Sequence, residues 1–338
     1  MKLGLTFGYW QQDPTPNMVE LAQEAERLGF DSVWTAEAYG SDCFSPLTWL
    51  GAHTKTIKLG TGIMQLSART PVCAAMTALT IDHLTNGRLI LGVGVSGPQV
   101  VEGWYGQDFR KPLTRTREWL DIFRQVIARE QPVSLDGKVY QLPLQGGMGL
   151  GKPLKSITHP LRSHIPVYLG AEGPKNVQLA AEAFDGWMPV FVSPYRMDIF
   201  ADSLQHRREG HEIAAYCSVN INDDLAAALL PVKYTLALYL GGMGAKDMNF
   251  HKNLMGRMGF GDAAEKVQEL FYAGKREEAV MAVPDALADE ISLSGPKDRI
   301  RERLQDWKKS DVTSLLIGCY GSLTDKYETM RFLAEETL

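Results

Sequence analysis

Three short loops in this sequence carry the residue types needed to hold a flat organic ligand. Gly92-Val93-Gly94-Val95-Ser96-Gly97 spells G-x-G-x-x-G directly after the apolar run at 89–91. Glycines at that spacing let a ligand come close to the backbone, as a dinucleotide does. Gly170-Ala171-Glu172-Gly173 precedes a helical pattern. Its backbone N–H groups and the positive end of a helix dipole suit a phosphate or a carbonyl edge. Glu172 reads equally as a solvated acid at the helix start. The third loop, Thr35-Ala36-Glu37, ends a strand-like run in an acid, and Tyr9 and Trp10 follow the first such run. Metal chemistry is not expected. The histidines form no H-x-x-x-H or H-E-x-x-H pattern, and Cys43, Cys73, Cys217 and Cys319 have no C-x-x-C spacing. The thiols therefore read as reduced and mostly interior.

The elements that position these loops alternate along the chain. Residues 3–7, 30–34, 57–62, 88–94, 166–170, 186–189, 216–221 and 314–318 have strand patterns. Helices are expected between them. In the first, Met18, Leu21, Ala22, Ala25 and Leu28 form one apolar stripe, Gly29 stops it, and Asn17 with Glu20 has capping-box spacing. Eight strands alternating with helices predict an α/β fold: one (β/α)8 TIM barrel over residues 1–338, with insertion segments at the C-terminal face of the strands. The first insertion spans about residues 97–165. It contains a helix at 115–129, a hairpin-like stretch turning at Asp136-Gly137, and a glycine run at 146–151. It is expected to lie over the strand ends as a mobile lid. The second is a helix-rich segment at about 224–290. Ligands of parallel barrels sit at the carboxyl ends of the strands, and all three loops fall there. Three β/α units precede the glycine motif and Pro98 follows it, whereas a Rossmann domain carries it in its first turn. A flat ligand against the end of strand four fits better than a dinucleotide.

The bulk composition narrows the function classes. With 338 residues, 45% apolar and 22% charged, the chain has material for a large core. A net charge of −5 offers no basic footprint for nucleic acid. No apolar run has the length of a membrane helix, so no membrane partner is expected. A strand pattern begins directly after Met1 and leaves no room for a signal peptide, so a cytoplasmic location is expected.

Five blocks, in order, resemble the luciferase-like superfamily of flavin and deazaflavin enzymes. They are Ala25-Glu26-Arg27-Leu28-Gly29-Phe30-Asp31-Ser32-Val33-Trp34, Leu59-Gly60-Thr61-Gly62-Ile63, Gly87-Arg88-Leu89-Ile90-Leu91-Gly92-Val93-Gly94, Ile165-Pro166-Val167-Tyr168-Leu169-Gly170-Ala171 and Ala183-Phe184-Asp185-Gly186-Trp187. The set spans most of the chain and is most similar to the coenzyme F420-dependent branch, which includes the methylenetetrahydromethanopterin reductases. The resemblance implies a cofactor across the strand ends, coenzyme F420 with FMN as the alternative, and a non-proline cis peptide behind the ring, here Gly62–Ile63. It places Ala36, Glu37, Gly62, Ile63, Gln65, Val95, Ser96, Gly97, Gly170, Ala171, Glu172 and Gly173 around that cofactor.

Glu37 is the catalytic candidate, hydrogen-bonding the ring or relaying a proton. The histidine that often follows this acid in the family is Ala38 here. The glutamate that the sugar-phosphate dehydrogenases carry after strand four is Gly97, which disfavours glucose-6-phosphate as substrate. Gln65 reads either as a group at the ring edge or as a surface residue. Tyr9 and Trp10 read either as the wall of a substrate pocket or as plain packing. The implied activity is hydride transfer between F420 and a small organic substrate. An FMN-dependent monooxygenase and a non-redox binding barrel are the alternatives. A homodimer is expected from the family alone.

Overall fold

The barrel closes through eight parallel strands: β1 (Lys2–Thr6), β2 (Ser32–Thr35), β3 (Lys58–Thr61), β4 (Leu89–Gly94), β5 (Val167–Gly170), β6 (Gly186–Met188), β7 (Glu212–Ile221) and β8 (Ser314–Cys319). This computed structural model describes residues 1–246 and 248–338. Each strand pairs with the next, and β8 returns to β1. The expected TIM barrel and its eight strands are all present. β2 and β4 are buried along their whole length, as strands covered on both faces must be.

Two apolar layers hold the barrel. The larger lies between strands and helices. The smaller fills the interior with Trp34, Ile90, Tyr168, Met188, Ala214 and Leu316, with Ile63 against it. The interior explains the glycine motif. Alternate residues of a strand share a face, and Gly92 and Gly94 face inward. A Cβ on Gly92 would lie 2.0 Å from the Thr61 carbonyl oxygen and 2.6 Å from the Met188 sulfur, and one on Gly94 would lie 2.1 Å from Ile63 Cδ1. These two glycines make room for barrel side chains. The expectation that they admit a ligand is corrected.

Two further expectations fail for geometric reasons. Asn17 has φ 56° and its side chain makes no cap; this left-handed residue leads the chain into the helix Met18–Arg27. A capping box occurs instead at Ser322 and Asp325. The lid is the second case. Helix Pro112–Ala128 buries Trp119, Ile122, Phe123 and Val126 and is an ordinary barrel helix. It runs away from the mouth, so the chain beyond it must travel over the outside to start β5. There Arg162 binds Asp82 and the carbonyl of Leu89, at the amino end of β4. Residues 97–111 of this insertion stay near the strand ends, where the Tyr105 hydroxyl donates to the Ala38 carbonyl at 3.3 Å.

The helix-rich segment reaches the mouth instead, through helices Leu225–Gly241 and Phe250–Arg257. It leads into an additional strand, Ser292–Gly295, to which the sequence pattern assigns nothing. β6 is short and pairs only with Glu212 and Ile213 of β7; the added strand pairs with β7 from Ser218 to Ile221. Among the described residues no helix is long and apolar enough to cross a membrane.

Candidate active site

On one side of the mouth, the loops after β1, β2 and β3 are tied to one another. The Ala36 N–H donates to the Gly8 carbonyl at 2.9 Å and the Glu37 N–H to the Ile63 carbonyl at 3.3 Å. The Gly62–Ile63 peptide is cis. Glu37 is 7% exposed. It accepts from Arg69 Nη1 at 2.8 and 2.9 Å, from the Gln65 N–H at 2.8 Å and from the Cys43 N–H at 3.3 Å. Burial works against the Arg69 charge, but Glu37 beside it outweighs burial and holds the guanidinium more firmly protonated than usual.

Glu37 is therefore an acceptor fixed by an arginine that does not lose its proton. These bonds tie the loops after β2 and β3 together at Glu37. Arg69 carries no periodic or motif signal and is identified only by the fold. Gln65 is buried, so its surface reading falls. Its amide donates to the carbonyls of Ala38 at 2.8 Å and Glu37 at 3.3 Å, and its Oε1 has no partner.

The β4 and β5 ends complete this side. Ser96 is left-handed, with φ 59°. Val95, Ser96 and Gly97 are partly exposed. Ile63 fits between Gly94 and Gly170, 3.2 Å from where a Gly170 Cβ would sit. The Ala171 carbonyl accepts from the Trp187 indole at 2.7 Å, and Gly173 begins helix Pro174–Ala183.

Glu172 turns inward and is 8% exposed, which removes its reading as a solvated acid. Its Oε2 lies 2.7 Å from His251 Nδ1. The contact is off the line of a good hydrogen bond, and both carboxylate oxygens lack a hydrogen-bond partner. The His251 ring meets Tyr239 at 4.8 Å and Phe191 at 5.7 Å, edge to face. Tyr9 lies beside Tyr239, and burial raises both phenols above their ordinary range. The Trp10 backbone N–H donates to Ser41 Oγ at 3.1 Å, while its indole N–H is buried and unpartnered.

Opposite the cis peptide, the Tyr216 hydroxyl lies 3.1 Å from Ser218 Oγ and 3.3 Å from the Tyr320 hydroxyl. Tyr216 and Ser218 fall on the inward alternation of β7, a signal the sequence does carry. His251 and Tyr239 have no such signal.

Buried polar atoms normally find a partner. Around this mouth Trp10 Nε1, Gln65 Oε1, Asn176 Oδ1 and the Glu172 oxygens do not. The set offers donors and acceptors to a polar, flat guest. The sequence profile of the luciferase-like monooxygenase family matches residues 5–314. The chain belongs to this family.

Luciferase-like relatives of both cofactor types are similar to it. A Mycobacterium tuberculosis protein, provisionally named a coenzyme F420-dependent oxidoreductase, is 52% identical over 328 residues and 94% of each chain. The structure of the coenzyme F420-dependent tetrahydromethanopterin reductase of Methanopyrus kandleri matches with a TM-score of 0.80 at 23% identity, over 99% of this chain and 97% of that one. The oxygenating constituent of 3,6-diketocamphane monooxygenase from Pseudomonas putida, solved with FMN, matches at 0.67 and 18% identity, over 99% and 97%. The luciferase-like fold alone does not choose between F420 and FMN.

Proposed function

We propose that this luciferase-like enzyme moves a hydride between coenzyme F420 and a small organic substrate. The observation that carries the reading is the 52% identity, end to end, with the Mycobacterium tuberculosis protein named for F420. The residues at the mouth suit such a guest. Gln65 Oε1 and the Trp10 indole N–H are an unpaired acceptor and donor for the polar edge of a deazaflavin. The loop from Gly170 to Gly173, opening helix Pro174–Ala183, suits its phosphate. When bound, the deazaflavin supplies a carbon that gives or takes a hydride.

The chain supplies geometry. Glu37, Arg69 and Gln65 fix the loops after β2 and β3, and Ile63 backs the site over Gly94 and Gly170. Positioning of this kind is worth about 7–11 kcal/mol of barrier at its best. The helices at 225–257 shield the mouth from water.

FMN is the competing cofactor, favoured by the likeness to the Pseudomonas putida protein. Equilibrium binding, read by fluorescence, separates the two. Micromolar or tighter F420 and FMN at least about tenfold weaker is the expected result. The reverse order, with oxygen consumed in the presence of reduced FMN, would overturn the proposal.

We also propose a homodimer. Helices Phe44–His53 and Pro71–Leu84 present Trp49, Met76 and Leu84 to solvent around a groove of about 880 Å3. An exposed apolar face on two adjacent barrel helices is the kind of surface that a second copy would cover across a two-fold axis.

A further inference from the structure

One titratable pair at the mouth has no task in the account above. Hydride transfer to a carbonyl leaves an electron pair on oxygen that must take a proton. The Glu37 oxygens are taken up by Arg69 and by the N–H groups of Gln65 and Cys43, and position 38 is alanine. We propose that His251, oriented by Glu172, exchanges the proton of the substrate, and that the substrate is an uncharged ketone or enone or the corresponding alcohol. The proposal rests on the F420 reading.

The placement of the pair supports it. Glu172 projects from the end of β5, the same end that carries Gly170 and Ala171. His251 comes from helix Phe250–Arg257 and turns Nδ1 to Glu172 Oε2 at 2.7 Å. Neither ring nitrogen has a protein hydrogen bond among the described residues, but Nδ1 is buried against Glu172, which leaves Nε2 as the nitrogen for a substrate. A carboxylate on one ring nitrogen sets the tautomer and orientation of the other.

The groups around the imidazole are few. Glu172 faces it from the β5 loop, and Arg257 on its own helix donates to the Glu172 carbonyl. Tyr239 faces it from helix Leu225–Gly241, with Tyr9 and Tyr320 beyond. Burial keeps the Tyr9 and Tyr239 hydroxyls protonated, so Glu172 and Arg257 are the fixed charges nearby. Phe191, Tyr239 and Tyr9 give the pocket an aromatic wall. An uncharged substrate suits that wall, whereas an anionic one would meet the Glu172 carboxylate.

The step balances. When bound, reduced F420 would supply the hydride, and with it two electrons, to the carbonyl carbon or, for an enone, to the β-carbon. The π pair of the C=O moves to oxygen and takes the Nε2 proton of the imidazolium. The product is the alcohol or, for conjugate addition to an enone, the saturated ketone after the enolate is protonated. Solvent returns the proton to the imidazole, and alcohol oxidation is the reverse.

The test uses the full chain. Imidazole NMR without cofactor follows His251, assigned by loss of its signal in His251→Asn. Its ring 15N shifts should place the proton on Nδ1 in the wild type and show a changed tautomer balance in Glu172→Gln. An unchanged balance overturns the pairing. F420 affinity, read by fluorescence, should stay within about threefold in His251→Asn.

Single-turnover oxidation of reduced F420 by acetone, cyclohexanone or 2-cyclohexen-1-one should slow about 10²–10⁴-fold in His251→Asn. Glu172→Gln, the milder change, should slow the same reaction by less than His251→Asn does, while melting close to wild type.

Failure to bind F420 in the wild type overturns the parent reading. If the wild type binds F420 but reduces none of the three carbonyls, the proton-exchange proposal fails. It also fails if His251→Asn turns over at the wild-type rate.

Discussion

Replacing Arg69 by methionine tests whether Glu37 is an anchor. The substitution keeps an apolar stem beside Phe44, over which Arg69 lies at 4.9 Å. It removes the guanidinium that bonds Glu37 at 2.8 and 2.9 Å. The Glu37 side chain is 3% exposed, so water cannot replace that partner freely. Stranding one member of a buried ion pair costs about 3–5 kcal/mol. The surviving N–H donors of Gln65 and Cys43 put this site at the low end, about 3 kcal/mol. For 338 residues, at about 2.1 cal/mol/K per residue, the melting entropy is about 0.7 kcal/mol/K. The melting temperature should therefore fall by about 4 °C.

Adding Glu37→Gln to Arg69→Met should recover most of that loss, because no charge is then left buried. Scanning calorimetry of the two single variants and the double variant at neutral pH measures the cycle. A fall of less than about 1 °C for Arg69→Met, or a double variant less stable than Arg69→Met alone, would refute the anchoring role. Glu37 would then be free to act as an acid.

Four further outcomes follow from the same structure. Gly92→Ala would push a Cβ to 2.0 Å from the Thr61 carbonyl oxygen; backbone of a neighbouring strand cannot rotate aside, so a loss of about 3 kcal/mol or more is expected as poor soluble yield and early melting. Gly103→Ala, with nothing within 4 Å of its Cβ, should leave melting unchanged or raise it slightly. Glu24 binds Arg27 and Arg331, and the Arg27 hydrogen bond leads in pulling its carboxyl down to about 2. Its folded value lies below the unfolded one, so its contribution is complete above about pH 4.5 and is lost as pH falls toward 2. Denaturant unfolding of Glu24→Gln should accordingly depend less on pH across that window; an unchanged dependence would contradict the assignment. Met76→Glu should convert the dimer to monomer in sedimentation at micromolar concentration, and a wild type already monomeric there would end the homodimer proposal.

The strand order and the location of the site were legible in the residues alone. Strands buried on both faces appear as nearly continuous apolar runs, and residues 3–7, 57–62 and 89–94 have that look. In any parallel barrel the carboxyl-end loops are where ligands bind, so Ala36, Ile63, Ser96 and Ala171 are at the mouth as soon as the alternation is recognised. Local pattern misled at Asn17, where a capping residue adopts a left-handed backbone. It misled again at Gly92 and Gly94, whose spacing looks like a ligand motif but follows from inward packing.

What the sequence determined by itself is the period: eight buried strands, the helices between them, and hence a barrel with one functional end. Which side chains meet at that end was decided only by closure. Arg69 reaches Glu37 across the loops after β2 and β3, and His251 reaches Glu172 from a separate helix because the second segment turns over the mouth while the first runs away from it. Periodicity reports which face of its own element a residue occupies and is blind to what a distant element places opposite. Partnership between charges far apart in the chain is therefore a property of the assembled barrel.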